Sequence, residues 1–430
     1  MDRITFSFFD IIRTLSNAVD LVSPELSGHH LQVARLALRI AEQIGLPEDS
    51  QRNTFMAGLV HDIGALSARE RLDLIEAEPP DASSHGFRGA RLLKEFGPFG
   101  PIADIVRYHH LPWNYGRGKW YNDKPVPLES HIVHLADRVC VQIKNNGSVL
   151  GQISSLIDSV KTQKGSVFAP EPMDALTALA AREYVWLELI YSEPIDSASK
   201  FLNEFRPLSM AEVLDISRMF SHIIDFRSRF TATHSAGVAK TAEMLAEMAG
   251  FSRNECLYMR IAGYLHDLGK LAIDNALLEK PGKLTSQEFD IIRGHTYFTY
   301  RLLGGIEGFE TINRWASFHH EKLNGNGYPF HLSAESLPAG SRIMAVADIF
   351  TAITEPRPYR EGMKPDAAVE VLRTMVASGA ICERFVTLLL DHFGQFTEAC
   401  KQSQHKAVEH YDRFFREDAD DSRTHLAARG

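Results

Sequence analysis

Ala57-Gly58-Leu59-Val60-His61-Asp62-Ile63-Gly64 returns 205 positions later as Ala262-Gly263-Tyr264-Leu265-His266-Asp267-Leu268-Gly269. The same displacement carries Ile11, Arg13, Ser16, Asp20, His29, Val33, Ala34 and Gly45 onto Ile216, Arg218, Ser221, Asp225, His234, Val238, Ala239 and Gly250. With a displacement of 210, His85, His109 and His110 fall on His295, His319 and His320, and with 211 Asp137 falls on Asp348. Small loop insertions account for the drift. Self-similarity of this length, with the metal-capable residues in register twice, reads as the tandem duplication of one domain.

Working outward, the 430 residues are too many for one hydrophobic core, and a chain that is 44% hydrophobic and 23% charged has the balance of a folded multi-domain protein. Apolar residues recur at helical spacing, as in Val33, Ala37, Ile40 and Ile44, or Leu257, Ile261 and Leu265, or Ile343, Val346, Phe350 and Ile353. Alternating β-branched runs are scarce, so the expected fold is all-α: two tandem helical domains joined by a helical connector. The expected boundaries are 1–150 for the first domain, 151–205 for the connector, 206–400 for the second domain and 401–430 for a polar tail with a frayed helix.

Forty-six Lys and Arg against 55 Asp and Glu leave a formal net charge of −9, and no basic run offers a track for a DNA or RNA polymer. The four Cys, at 140, 256, 382 and 400, lack the CxxC spacing of a thiolate metal site and suggest no disulfide framework. Met1 to Val22 is broken by Asp2, Asp10, Arg13 and Asp20, so it resembles neither a signal peptide nor a spanning helix. A cytoplasmic protein without membrane insertion is the expectation.

The 19 His are the unusual count. In the second copy His234, His266, Asp267, His295, His319, His320 and Asp348 form an ordered set of five imidazoles and two carboxylates. That donor set suits two adjacent first-row metal ions with a carboxylate between them. The first copy carries the equivalent His29, His61, Asp62, His85, His109, His110 and Asp137. His30 is an alternative to His29, and the repeat register favours His29.

The doublets with their outlying His and Asp resemble the HD phosphohydrolase superfamily, and the second copy resembles its HD-GYP subfamily. The resemblance runs from about Phe220 to Met363, through His266-Asp267-Leu268-Gly269-Lys270, His319-His320-Glu321, Gly327-Tyr328-Pro329, Val346-Ala347-Asp348 and Arg357-Pro358-Tyr359-Arg360. It implies a metal-dependent phosphodiesterase, with iron or manganese, that opens cyclic di-GMP to linear pGpG and in some members continues to GMP. It further implies catalytic roles for Asp267 and Lys270, the ammonium of Lys270 polarising the phosphate or protonating the leaving ribose oxygen. Arg357, Arg360, Tyr328 and Pro329 would meet the substrate, and Gly327 would supply an unusual backbone angle in a tight loop. Phe230 stands where some members place a third-metal Glu, which favours two ions in the second copy. Thr351 and Asn324 replace acids that the subfamily often carries.

The first copy departs from that pattern. Glu25 occupies the third-metal position, but Ala65 stands for the lysine, Leu111-Pro112-Trp113 for the Gly-Tyr-Pro stretch, and Asn146 and Val149 for the arginines. It is expected to bind additional metal without hydrolysing cyclic di-GMP, as a regulatory, sensory or dimerising module, with a homodimer and signalling proteins as partners. Two other readings stay open: a phosphodiesterase for 3′,3′-cyclic GMP-AMP or another nucleotide, and an inactive cyclic di-GMP receptor or scaffold.

Overall fold

A computed structural model describes residues 5–21, 28–76, 83–144, 147–191, 201, 207–226, 233–280, 282–356 and 361–429. The architecture is all-α, as expected. The first half holds α1 (Phe8–Asp20), α2 (His29–Ile44), α3 (Glu48–Val60), α4 (Ala68–Glu76), α5 (Ser83–Lys94), α6 (Gly100–Arg107) and α7 (Leu128–Cys140), followed by α8 (Ile153–Lys161), α9 (Pro170–Leu179) and α10 (Glu183–Tyr191). The second holds α11 (Met210–Asp225), α12 (His234–Met248), α13 (Arg253–Leu265), α14 (Asn275–Leu278), α15 (Ser286–Leu303), α16 (Glu310–Ser317), α17 (Ala339–Thr354), α18 (Pro365–Ala377), α19 (Glu383–Asp391) and α20 (Phe393–Arg429). Two strand pairs complete it: β1 (Thr5–Phe6) runs antiparallel to β4 (Leu208–Ser209), and β2 (Trp120–Tyr121) antiparallel to β3 (Lys124–Pro125).

The duplication is visible in the packing. In the N-terminal unit α2 lies on α3 and α7, and α5 on α6; in the C-terminal unit α12 lies on α13 and α17, and α15 on α16. The cores are apolar at the positions that the helical period marks: Val33, Ala37 and Ile40 in one, Ile343, Val346 and Phe350 in the other, are all fully buried. Helix starts in the second unit are fixed by reciprocal capping boxes, Ser209 with Glu212, Ser252 with Glu255 and Thr285 with Glu288, each satisfying two of the orphan amides of the first turn.

The units are divided differently from the boundaries that the sequence suggests. Met1–Asp10 joins Pro207–Arg416 in one compact unit, and Ile11–Arg206 joins Glu417–Gly430 in the other. The first residues cross because β1 pairs in register with β4, Phe6 opposite Leu208, and because the Phe6 ring meets Phe309 edge-on at 5.1 Å. The expected connector is part of the N-terminal unit, where α9 and α10 pack on α2. The expected polar tail is not a separate segment: α20 runs from 393 to 429 and buries Phe414 against Phe226. Among the described residues no helix is long and apolar enough to cross a membrane.

Candidate metal centres

In each unit the His-Asp doublet stands just past a helix C-terminus, His61-Asp62 after α3 and His266-Asp267 after α13. The last carbonyls of a helix lack an intrahelical partner, and here they orient imidazoles. Nδ1–H of His266 donates to the Gly263 carbonyl at 2.8 Å and that of His319 to Ala316 at 2.6 Å. His295 does the same within α15, to Ile292 at 2.7 Å. The first unit repeats the device: His61 donates to Gly58 at 2.9 Å and His109 to Val106 at 2.6 Å. A carbonyl only accepts, so each ring carries a proton on Nδ1 and turns Nε2 inward, where a neutral ring presents a lone pair.

Those lone pairs converge. Nε2 of His295 faces Nε2 of His319 at 3.4 Å, and Nε2 of His85 faces that of His109 at 3.1 Å. In the C-terminal pair both rings donate through Nδ1, so as neutral rings they set two lone pairs against each other with no proton between them. Burial drives His295 down to about 3 and His109 down to about 4, so both are neutral at physiological pH. A cation between His295 and His319 resolves that repulsion, and the matching group of buried donors Asp62, His85, His109 and His110 fits metal in the N-terminal unit.

Asp267 divides the C-terminal donors into two groups. Its Oδ2 lies 3.2 Å from His266 Nε2 and 4.0 Å from His234 Nε2, while its Oδ1 lies 3.4 Å from His295 Nε2. Asp348 Oδ1 completes the first group, 3.1 Å from His234 Nε2, and His295, His319 and His320 form the second. Burial alone would raise the Asp267 carboxyl, but His266 and Lys270 outweigh it and hold it well below the usual range. The N-terminal unit reproduces the plan, with Asp62 Oδ2 at 3.3 Å from His61 and Oδ1 at 3.0 Å from His85, and with His29 at 3.1 Å from Asp137 Oδ1. His110 joins Asp62, His85 and His109. All seven expected ligands of each copy are thus brought together. Glu25 lies outside the described residues, as do Arg357, Arg360, Phe230 and Asn146.

Glycine is required where the doublets pass the next helix. A Cβ on Gly269 would stand 1.9 Å from the His295 carbonyl oxygen, and one on Gly64 would stand 2.1 Å from that of His85. Thr299 braces the C-terminal crossing, donating to the His266 carbonyl at 3.1 Å and accepting from Gly269 N–H at 2.9 Å. The expected unusual angle at Gly327 is absent: the positive φ values of that loop are at Gly325 and His331, and Gly327 is needed because a Cβ would press within 2.4 Å of Glu321 Cα. Buried Glu321 accepts from the Phe330 and Leu332 amides, holding the loop so that the Tyr328 ring sits 5.0 Å from His320. Pro329 follows in the same loop, half-buried.

Lys270 Nζ donates to Asp267 Oδ2 at 2.6 Å from a partly exposed position, so its ammonium borders the cluster and still meets solvent. Ala65, its counterpart, is fully buried. The first copy is nevertheless not without cations. Arg138 grips Asp137 Oδ2 at 2.7 Å through Nη2, and buried Arg71 donates to the carbonyls of Ala65 and Val19. Burial pushes Arg71 down to about 10 against the opposing pull of Asp62, Glu70 and Asp20. Neither arginine stands at a repeat-matched position.

Sequence reading also missed Glu355. It is buried, and its Oε1 accepts from His234 Nδ1 at 3.1 Å, aiming that ring at Asp348. Burial opposes a charged ring, but Glu355 and Asp348 outweigh it and raise His234 to about 10. Carboxylates behind a ligating imidazole set its tautomer and basicity. A Glu355→Ala protein is therefore expected to bind manganese at the C-terminal centre roughly 10–100-fold more weakly, as read by titration.

HD domain sequence profiles match residues 26–141 and 218–381. The 3′3′-cGAMP-specific phosphodiesterase 1 of Vibrio cholerae serotype O1 is 28% identical over 401 residues, 91% of this chain and 92% of that protein. The cyclic di-GMP phosphodiesterase response regulator RpfG of Xanthomonas campestris pv. campestris is 34% identical over 218 residues, 49% of this chain and 57% of that one. A crystal structure of a cyclic GMP-AMP specific phosphodiesterase of V. cholerae, V-cGAP3, shares the fold, with a TM-score of 0.63 and 23% identity over 94% of this chain and 98% of that one. With both imidazole-carboxylate clusters in place and an HD profile over each, the chain belongs to the HD-domain phosphohydrolases and carries two HD domains in tandem.

Proposed function

We propose that the C-terminal unit is a metal-dependent phosphodiesterase of cyclic dinucleotides, that it prefers 3′,3′-cyclic GMP-AMP, and that the N-terminal unit is a non-hydrolytic metal domain. The observation that carries the first part is the pairing of a convergent imidazole-carboxylate cluster with Lys270 on its open edge, present in the C-terminal copy alone. The substrate preference revises the cyclic di-GMP reading of the sequence. It rests on the relative named for 3′3′-cGAMP, which aligns along nearly the whole tandem, whereas RpfG aligns with about half of this chain.

His234, His266, Asp267 and Asp348 would hold one ion, and Asp267, His295, His319 and His320 the other, with iron or manganese the proposed metals. Such a pair supplies Lewis-acid activation of water and a clamp on the phosphoryl oxygens. Lys270 supplies the mobile cation: released from Asp267, its ammonium reaches a phosphoryl oxygen or donates a proton to the departing ribose oxygen. Tyr328 offers an aromatic face beside His320, flanked by Phe289 at 6.2 Å and with the Arg293 guanidinium 5.2 Å from its ring centre. That surface suits a stacked purine. Arg357 and Arg360 are proposed to meet the phosphates, as planar guanidinium does well. A homodimer and signalling partners remain proposals of the same kind, as does the cytoplasm as the site of action.

Anaerobic assay of iron- or manganese-loaded protein with each dinucleotide, followed by chromatography, tests the reading. The expected result is a kcat/KM at least about tenfold higher for 3′,3′-cyclic GMP-AMP, a difference of about 1.4 kcal/mol in transition-state binding, with a linear dinucleotide as product. Equal or faster turnover of cyclic di-GMP would restore the original preference. Tight binding without turnover of either would favour a receptor.

A further inference from the structure

We infer that His30 is an additional metal ligand of the N-terminal centre, and that it closes a coordination position which the C-terminal centre leaves to water or substrate. The inference rests on the reading that the N-terminal cluster holds metal. His30 is 1% exposed, on the first turn of α2. Its Nδ1 meets Asp20 Oδ1 in a short contact, and the other oxygen of Asp20 accepts from the Gly28 amide at 3.1 Å. An ionised carboxylate only accepts, so the proton lies on Nδ1 and Nε2 presents a lone pair. That Nε2 is buried and has no hydrogen-bond partner among the described residues. A ring nitrogen of His30 lies within 4.8 Å of the ligand atoms of His61 and Asp62, and the His30 and His61 rings stand 4.7 Å apart. Carboxylate, imidazole and cluster are thus in the order that orients a ligating histidine.

The second copy shows what the position looks like without this ligand. Asp225 corresponds to Asp20 and Ser235 to His30. There the serine hydroxyl donates to Asp225 Oδ1 at 3.0 Å, turned toward the carboxylate with nothing offered to the ions. The same buried acid therefore serves an imidazole in one copy and a hydroxyl in the other. The N-terminal centre has one donor more, His29 and His30 both contributing where the repeat register alone points to His29. Protein-filled coordination marks structural sites, and an open position marks catalytic ones. Ala65 in place of the lysine agrees with a closed centre.

The test uses the full chain with the C-terminal centre disabled by His266→Ala and His319→Ala, loaded with cobalt(II). Release to excess EDTA is followed by absorbance, and folding by circular dichroism. Adding His30→Ser, the residue of the second copy, is expected to speed cobalt release at least tenfold, and Asp20→Asn to speed it less, within the roughly 10–100-fold range of supporting-shell losses in affinity. Unchanged release in both variants would overturn the assignment of His30 while leaving the metal reading intact. A folded parent that retains no cobalt would overturn the metal reading itself. If His30→Ser fails to fold, Asp20→Asn decides alone, because it keeps the imidazole and alters only its support.

Discussion

Lys270→Ala protein is expected to keep the metals of its C-terminal centre and to lose about 10²–10⁴-fold in kcat, the range for one positioned proton donor or acceptor. The substitution installs the residue that the first copy has at position 65. Lys270 touches Asp267 but is not itself a donor to cations, so its loss removes charge from the edge of the site and leaves seven ligands in place. Metal analysis beside the kinetics separates the two roles open to it. A protein depleted of metal would make Lys270 a positioning residue for Asp267, and full turnover with full metal would remove it from the reaction.

The second large effect falls on Asp267. Its two oxygens face different donor groups, so Asp267→Asn replaces one carboxylate oxygen by an NH2 that cannot ligate, leaves the other as a neutral carbonyl oxygen, and weakens both subsites at once. Metal content of the C-terminal centre is expected to fall below two ions. If that removes several kcal/mol of charge stabilisation, turnover falls by at least about 10³-fold at about 1.4 kcal/mol per decade. Retained turnover at wild-type metal content would show that Asp267 does not join the subsites.

Much of this arrangement was legible in the sequence because the duplication wrote each candidate ligand twice. His61 and His266, His109 and His319, Asp137 and Asp348 all occupy matched places in the two clusters, and the all-α architecture followed from the helical period. What was not legible depends on second nitrogens and on contacts distant in the chain. Glu355 supports His234 across 121 positions and sits beyond the last motif ligand. Arg71 and Arg138 place cations in the first copy without repeat-matched counterparts. His30 lay in plain view, but the register that found His29 argued against it; only the matched acids Asp20 and Asp225, serving different side chains, reveal the difference. The boundaries missed for a similar reason, since the pairing of Phe6 with Leu208 joins chain segments that no local pattern connects.

In the proposed function, one metal site was duplicated and only the C-terminal copy hydrolyses the cyclic dinucleotide. The most direct measurement compares initial rates of 3′,3′-cyclic GMP-AMP cleavage by full-length Asp62→Asn and Asp267→Asn proteins, with metal content determined on the same samples. The expected rate is at least about 10³-fold lower for Asp267→Asn than for Asp62→Asn, each variant losing metal from its own centre. Equal rates, or a slower Asp62→Asn protein, would contradict it.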